Sequence, residues 1–208
     1  MGKTTAGTKT LEGTTIKREE FLQALQSVSH GLSQKDIIEQ SSCFVFSEGN
    51  VITFNDKVAC QMKSGLPEEV TGAIPAEKLV EMLLKRTDEE IQVKQIEGGL
   101  LFSQKGWKSM HKMEMEVHLP IDSIEQPSEW IKLEDDFCDA IGMVSNCISV
   151  DETMPQLTCV HIHPKWVEAC DNFHGCRWKL ATGVETSVLV PGSSIKHVGP
   201  LGVNEMSL

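Results

Sequence analysis

The chain has 208 residues, with 30 Asp and Glu against 19 Lys and Arg and a formal net charge of −11. Apolar residues make up 40% and charged residues 24%, enough to bury a core and ordinary for a folded, soluble chain. This balance excludes a histone-like polycation and confines any contact with nucleic acid to a local basic surface. Apolar runs such as Val188-Leu189-Val190 fall far short of the roughly 20 residues that span a bilayer. No membrane contact is expected. No secretory signal is read at the N-terminus, and seven cysteines at irregular spacing predict reduced thiols and a cytoplasmic location.

Residues 1–15 are rich in Thr, Gly and Lys and are expected to form a flexible leader. Gly2-Lys3-Thr4 has the ending of a phosphate-binding loop, but the upstream glycine and strand are missing. Ile16 to Glu20 reads as a short strand or the start of a helix. Phe21, Ala24, Leu25, Val28 and Leu32 share one helical stripe, which predicts a helix over 21–32. Ser42–Phe46 and Asn50–Phe54 are predicted strands joined by the hairpin Ser47-Glu48-Gly49. Val58–Lys63 and Glu69–Ile74 read as two more strands. Pro75 is expected to open a helix as its first residue, running over Ala76–Arg86 and burying Leu79 and Leu83. Ile91–Gln95, Leu100–Gln104 and Met110–Leu119 are predicted strands, the last an exposed edge with Met113 and Met115 on one face.

The chain then repeats itself. Phe21-x-x-Ala24-Leu25-x-x-Val28-Ser29 matches Phe137-x-x-Ala140-Ile141-x-x-Val144-Ser145 at an offset of 116 (21 and 137). Ile74-Pro75 matches Val190-Pro191, and Asn55-Asp56 matches Asp171-Asn172, in the same register (75 and 191, 55 and 171). Three anchors at one offset predict a duplicated unit of β-α-β-β-β order. The expected organisation is a first domain over 16–122, a linker over 123–130, and a second domain over 131–208 that stops short at its C-terminus.

The ordered set Phe21-x-x-Ala24-Leu25, the hairpin, Gly72-Ala73-Ile74-Pro75-Ala76-x-x-Leu79-x-x-x-Leu83, and Asp88-Glu89-Glu90-Ile91-x-Val93 resembles the first domain of a bacterial or phage β sliding clamp, the DNA polymerase III beta subunit. Val167-Glu168-Ala169-Cys170-Asp171-Asn172 resembles that family's strand ending in Ala-Thr-Asp-Gly, and Ser187-Val188-Leu189-Val190-Pro191 resembles its strand entering the next helix. The resemblance runs from about Thr15 to Leu208. It implies an α+β DNA-clamp fold with helices on one face and antiparallel sheets on the other, and a non-enzymatic processivity factor that encircles duplex DNA. Such a protein needs no cofactor. Full-length members have three domains and close a ring by self-association.

The resemblance also implies two sets of site residues. Candidate DNA contacts on the helix faces are His30, Lys35, Lys78, Lys85, Arg86 and Lys196, with Gln156 in the loop after the third helix. Lys78 and Lys85 lie two turns apart on one face, although Glu77 and Glu81 offer them ordinary ion pairs. Leu157, Asp171, Asn172, Phe173 and His174 are the expected share of a pocket in which polymerases and clamp loaders insert a short apolar peptide. After the Asp, the family pattern is Gly-His-Arg-Leu; here it is Asn172-Phe173-His174-Gly175.

Two other readings compete. Cys159, His161, His163, Cys170, His174 and Cys176 are zinc-ligand types lying close together, although their spacing fits no standard zinc module. Cys170 and His174 as a hydrolytic pair lack an orienting partner. A protein-interaction scaffold built on the same duplicated unit is the third possibility, since fold alone does not decide function.

Overall fold

The computed structural model describes residues 13–33, 38–55, 58–120 and 127–207, without the side chains of residues 196, 197, 199, 200 and 201. The chain forms two compact units, Met1–Ile121 and Asp122–Leu208.

The first unit runs β1 (Thr14–Lys17), α1 (Arg18–Val28), β2 (Cys43–Ser47), β3 (Asn50–Phe54), β4 (Ala59–Lys63), β5 (Gly72–Pro75), α2 (Ala76–Leu84), β6 (Glu90–Ile96), β7 (Gly99–Gln104) and β8 (Trp107–Lys112). The β-α-β-β-β order therefore occurs twice within this one unit, one level below the 116-residue repeat. The two halves exchange their first strands. Antiparallel sheets form in the orders β4-β3-β2-β5 and β1-β6-β7-β8, so β1 joins the second half and β5 the first. The core lies between these sheets and the two helices. Phe21 of α1 packs on Phe46 and Phe102, one from each sheet, at ring-centroid distances of 6.2 and 6.1 Å. All three rings are buried. Truncating Phe21 to Ala would cost about 3–5 kcal/mol, because a close-packed site cannot refill the void.

The second unit follows the same plan with β9 (Ile131–Lys132), α3 (Phe137–Ser145), β10 (Cys159–His163), β11 (Trp166–Cys170), β12 (Gly175–Lys179), β13 (Val188–Pro191), α4 (Gly192–Leu201) and β14 (Glu205–Met206). Four strands start 116 residues after their counterparts: 43 and 159, 50 and 166, 59 and 175, 72 and 188. Pairing register repeats too. Cys43 faces Pro75 as Cys159 faces Pro191, and Asn50 faces Lys63 as Trp166 faces Lys179. The sheets are β12-β11-β10-β13 and the two-stranded β14-β9.

Several predicted boundaries move. The first helix begins at Arg18, whose N–H closes on the Glu89 carbonyl at 2.9 Å, and ends at Val28. A 3-10 turn, Ser29–Gly31, follows, and a side chain at Gly31 would overlap the Thr53 hydroxyl. The strand expected over Glu69–Ile74 is confined to Gly72–Pro75, since a turn spans Pro67 to Val70 (Val70 N–H to Pro67 carbonyl, 3.0 Å). Pro75 is the last strand residue and caps α2 with extended dihedrals instead of entering it. The predicted edge strand Met110–Leu119 is shifted to Trp107–Lys112. Beyond it Met113 turns into the core while Met115 stays exposed, so the two do not share a face. Glu114 then bridges to Ala73 of the other sheet.

From there the chain crosses the outer face of β4-β3-β2-β5. Leu119, with Val117 beside it, packs in a second apolar cluster with Cys43, Val45, Ile52 and Ala73. The buried Gln40 amide fastens this segment: Nε2 donates to the Glu116 carbonyl at 2.8 Å and to Glu114 Oε2 at 3.1 Å, and Oε1 accepts from the His118 N–H at 2.9 Å.

Candidate functional site

The second unit leaves the equivalent outer face uncovered among the described residues. A cavity of about 330 Å³ opens there, lined by Gln156, Leu157, His161, Glu168, Cys170 and Arg177, among others. Alternation along β10 and β11 puts His161 and Glu168 on this face, directly opposite one another. His161 Nδ1 lies 2.8 Å from Glu168 Oε1, and Arg177 Nε donates to Glu168 Oε2 at 2.6 Å. Burial alone would raise the Glu168 carboxyl, but hydrogen bonds from His161 and Arg177 outweigh it and hold the group below the usual carboxylate range. Trp166 stacks on His163 at 3.4 Å between ring centroids, and the Arg177 guanidinium lies 4.7 Å from the Trp166 ring. Desolvation, followed by the charges of His161 and Lys165, lowers the His163 pKa.

The turn between β11 and β12 connects two residues that line the cavity, Cys170 and Gly175. Asp171 Oδ1 accepts the N–H of His174 at 2.6 Å and of Phe173 at 2.9 Å, which holds its carboxyl below the ordinary range. The Asp171 N–H meets the His174 carbonyl at 3.0 Å. The first unit builds the same turn at Asn55, whose N–H meets the Val58 carbonyl and whose Oδ1 accepts the Val58 N–H. Asn172 takes φ of 77°, a conformation Asn tolerates better than most residues. Phe173 is thereby presented to solvent, 89% exposed. Leu157 lines the cavity, while Asp171, Asn172, Phe173 and His174 form the turn between two lining residues, Cys170 and Gly175. Sequence reasoning missed Glu168 and Arg177; the strand alternation around His161 and His163 was the signal that could have found them.

The predicted DNA-facing bases are scattered. Lys78 is exposed on α2. Lys85, just past that helix, is held by Glu81 at 2.6 Å. Arg86 stacks over Trp107 at 4.4 Å, and the Trp107 indole N–H donates to Asp88 at 3.0 Å, so Arg86 braces β8. His30 sits in the 3-10 turn, its carbonyl accepting from Asn55 Nδ2 at 3.3 Å. Lys35 and the side chain of Lys196 lie outside the described residues. Together α1, α2 and α3 carry Arg18 and Lys78 against Glu19, Glu20, Glu77, Glu81 and Asp139.

Zinc ligation finds no support. Among the described residues no group of three or more His, Cys, Asp or Glu side chains is placed to hold a metal ion. His161 is turned to Glu168 and His163 to Trp166. All seven cysteines are free thiols. No described helix is long and apolar enough to cross a membrane.

No protein-family model and no curated protein matches this sequence. Solved structures do. The beta chain of DNA polymerase III from Streptococcus pneumoniae superposes with a TM-score of 0.74 at 21% identity, covering 92% of this chain and 57% of that one. The beta sliding clamp of C. crescentus gives 0.73 at 18% identity, covering 91% and 56%. The DnaN sliding clamp of Bartonella birtlesii, bound to griselimycin, gives 0.72 at 18% identity, covering 94% and 60%. The chain thus has the sliding-clamp fold and spans rather more than half the length of these clamps.

Proposed function

We propose that this chain is a processivity factor for DNA replication, a cytoplasmic sliding clamp that contributes two units to a ring around duplex DNA and tethers a polymerase. The observation that carries the reading is the clamp fold, repeated at an offset of 116 residues with strand pairing kept residue for residue. In this role the protein performs no chemistry itself; it converts a dissociating polymerase into a tethered one by raising its effective concentration at the template.

Ring closure in this reading uses the β8 edge, which pairs only with β7 among the described strands. Its outward face alternates Lys108, Met110 and Lys112, all exposed, so the matching edge should be apolar at its centre and acidic at its flanks. Duplex DNA is held through Lys78 and Lys85 with His30, Lys35, Arg86 and Lys196 as further contributors. With carboxylates outnumbering bases on the described helices, the hold is weak and non-specific, which suits sliding. The polymerase and the clamp loader dock by a short apolar peptide at the second-unit cavity, contacting Leu157 and the turn Asp171, Asn172, Phe173 and His174. The B. birtlesii clamp, whose structure holds griselimycin, supports a ligand-binding role for this fold.

The test is primer extension by the polymerase and loader of the same cell, with a trap that prevents rebinding. Product length per encounter should rise several-fold when the chain is added, together with any further subunit its ring requires. Unchanged product length would refute the proposal.

A further inference from the structure

Among the described strands β8 pairs with β7 alone, and one ladder leaves the twist of an edge strand open. Directly after Lys112 the chain leaves this sheet. Met113 N–H meets the Gly98 carbonyl at 3.0 Å, and Glu114 and Ala73 exchange two backbone hydrogen bonds at 2.9 and 2.8 Å. The passage is tight: a side chain at Gly72 would stand 2.6 Å from the Glu114 carbonyl oxygen.

The next fastening is Gln40. Its Nε2 donates to the Glu116 carbonyl at 2.8 Å and its Oε1 accepts the His118 N–H at 2.9 Å. One amide thus grips two backbone groups of a segment that belongs to no strand. Gln40 is itself tied to the other sheet, because its carbonyl accepts the N–H of Cys43, the first residue of β2, at 3.0 Å. Its φ of 65° lies in the left-handed region, unfavourable for a residue other than glycine. A buried amide engaged at both ends, on a backbone held in an unfavourable conformation, marks a side chain kept for what it holds.

We infer that Gln40 is a positioning residue for ring closure. It pins the segment after β8 to the β4-β3-β2-β5 sheet, and that segment sets the twist at which β8 presents Lys108, Met110 and Lys112. The inference rests on the ring-closing use of β8 above. Among the described residues, the Gln40 side chain hydrogen-bonds Glu114, Glu116 and His118 and no residue of β8, so its effect on closure is indirect. The Lys-Met-Lys stripe supplies the chemistry of pairing, and Gln40 supplies its direction. An edge of fixed twist meets its partner without first giving up conformational freedom, which lowers the entropy cost of association.

The test is hydrogen exchange by mass spectrometry on the whole chain, followed by ring retention. Three variants are compared with the unsubstituted chain: Gln40→Ala, the near-isosteric Gln40→Glu, which cannot donate to the Glu116 carbonyl, and Val28→Ala, a buried helix substitution away from the segment. Exchange of residues 107–112 should rise about tenfold in Gln40→Ala, the loss expected for two backbone hydrogen bonds, and several-fold in Gln40→Glu, whose carboxylate also faces Glu114. Val28→Ala should leave it unchanged, because edge amides exchange by local opening. The assembled ring, placed on nicked circular plasmid by its loader with any further subunit it requires, should dissociate about tenfold faster with Gln40→Ala and at the unsubstituted rate with Val28→Ala. Affinity for linear duplex should not change. Unchanged exchange over 107–112 in both Gln40 variants, with only 113–119 loosened, would overturn the inference. So would a loosened edge with an unchanged ring lifetime. An unsubstituted protein that is never retained on circles would overturn the ring reading, and this role with it, whatever the exchange shows.

Discussion

Gln40 is 4% exposed, yet no polar atom of its amide is wasted: it engages Glu114, Glu116 and His118. Removing it leaves the Glu116 carbonyl and the His118 N–H without these partners. Gln40→Ala should therefore cost about 2–4 kcal/mol, more than a typical surface change, and lower the unfolding midpoint of the first unit. Asp171 makes a prediction in pH. Its folded-state pKa is depressed because the ionised carboxylate accepts the N–H of His174 and Phe173. The turn's support is thus fully present above the ordinary value of 3.8 and is lost as pH falls through the lower folded value. Amide NMR shifts of Phe173 and His174 should titrate together with a midpoint below 3.8, and Asp171→Asn should abolish that titration. A midpoint at or above 3.8 would contradict the hydrogen-bonded turn.

At the scale of the element, β8 is the piece most exposed to chance pairing. Two copies joined antiparallel about Met110 would set Lys108 of one against Lys112 of the other, and like charges opposed across strands repel. The chain alone should therefore sediment mainly as a monomer at micromolar concentration; a tight dimer there would contradict this use of the edge. Strand positions were readable because β-branched and aromatic runs alternate around a Glu48-Gly49 hairpin and because one offset fixed both copies. The β8 boundary was not. Met113 to Leu119 alternates like a strand, but it is irregular chain, bent at Met115–Glu116 and at Leu119, that packs on a second sheet with Gln40 supplying backbone hydrogen bonds. Alternation alone does not separate a paired strand from a crossing segment of this kind. In the site, the Asp171 turn was legible from its match to Asn55, and the β10 histidines were visible as a stripe. The pairing of His161 with Glu168, and of Glu168 with Arg177, depends on a register between strands, which no single strand displays.

For the whole molecule, charge decides how duplex DNA would be held in the proposed role. A chain of net charge −11 with few free bases on its described helices cannot bind DNA tightly by counterion release. Changing Lys78 and Lys85 to Ala should flatten the salt dependence of DNA binding by at most about one unit of slope for each phosphate no longer neutralised, and equally for every DNA sequence. A larger effect on one DNA sequence than another would contradict non-specific contact. In the proposed role, retention must instead come from topology: a weakly attracting ring would stay on DNA because it has no way off. The direct measurement loads the assembled ring on nicked circular plasmid with its loader and ATP, isolates the complex by gel filtration, and then cuts the circle once with a restriction enzyme. The protein should elute with the circle and leave once the DNA is linear. Equal retention on circular and linear DNA, or none on either, would contradict a sliding clamp.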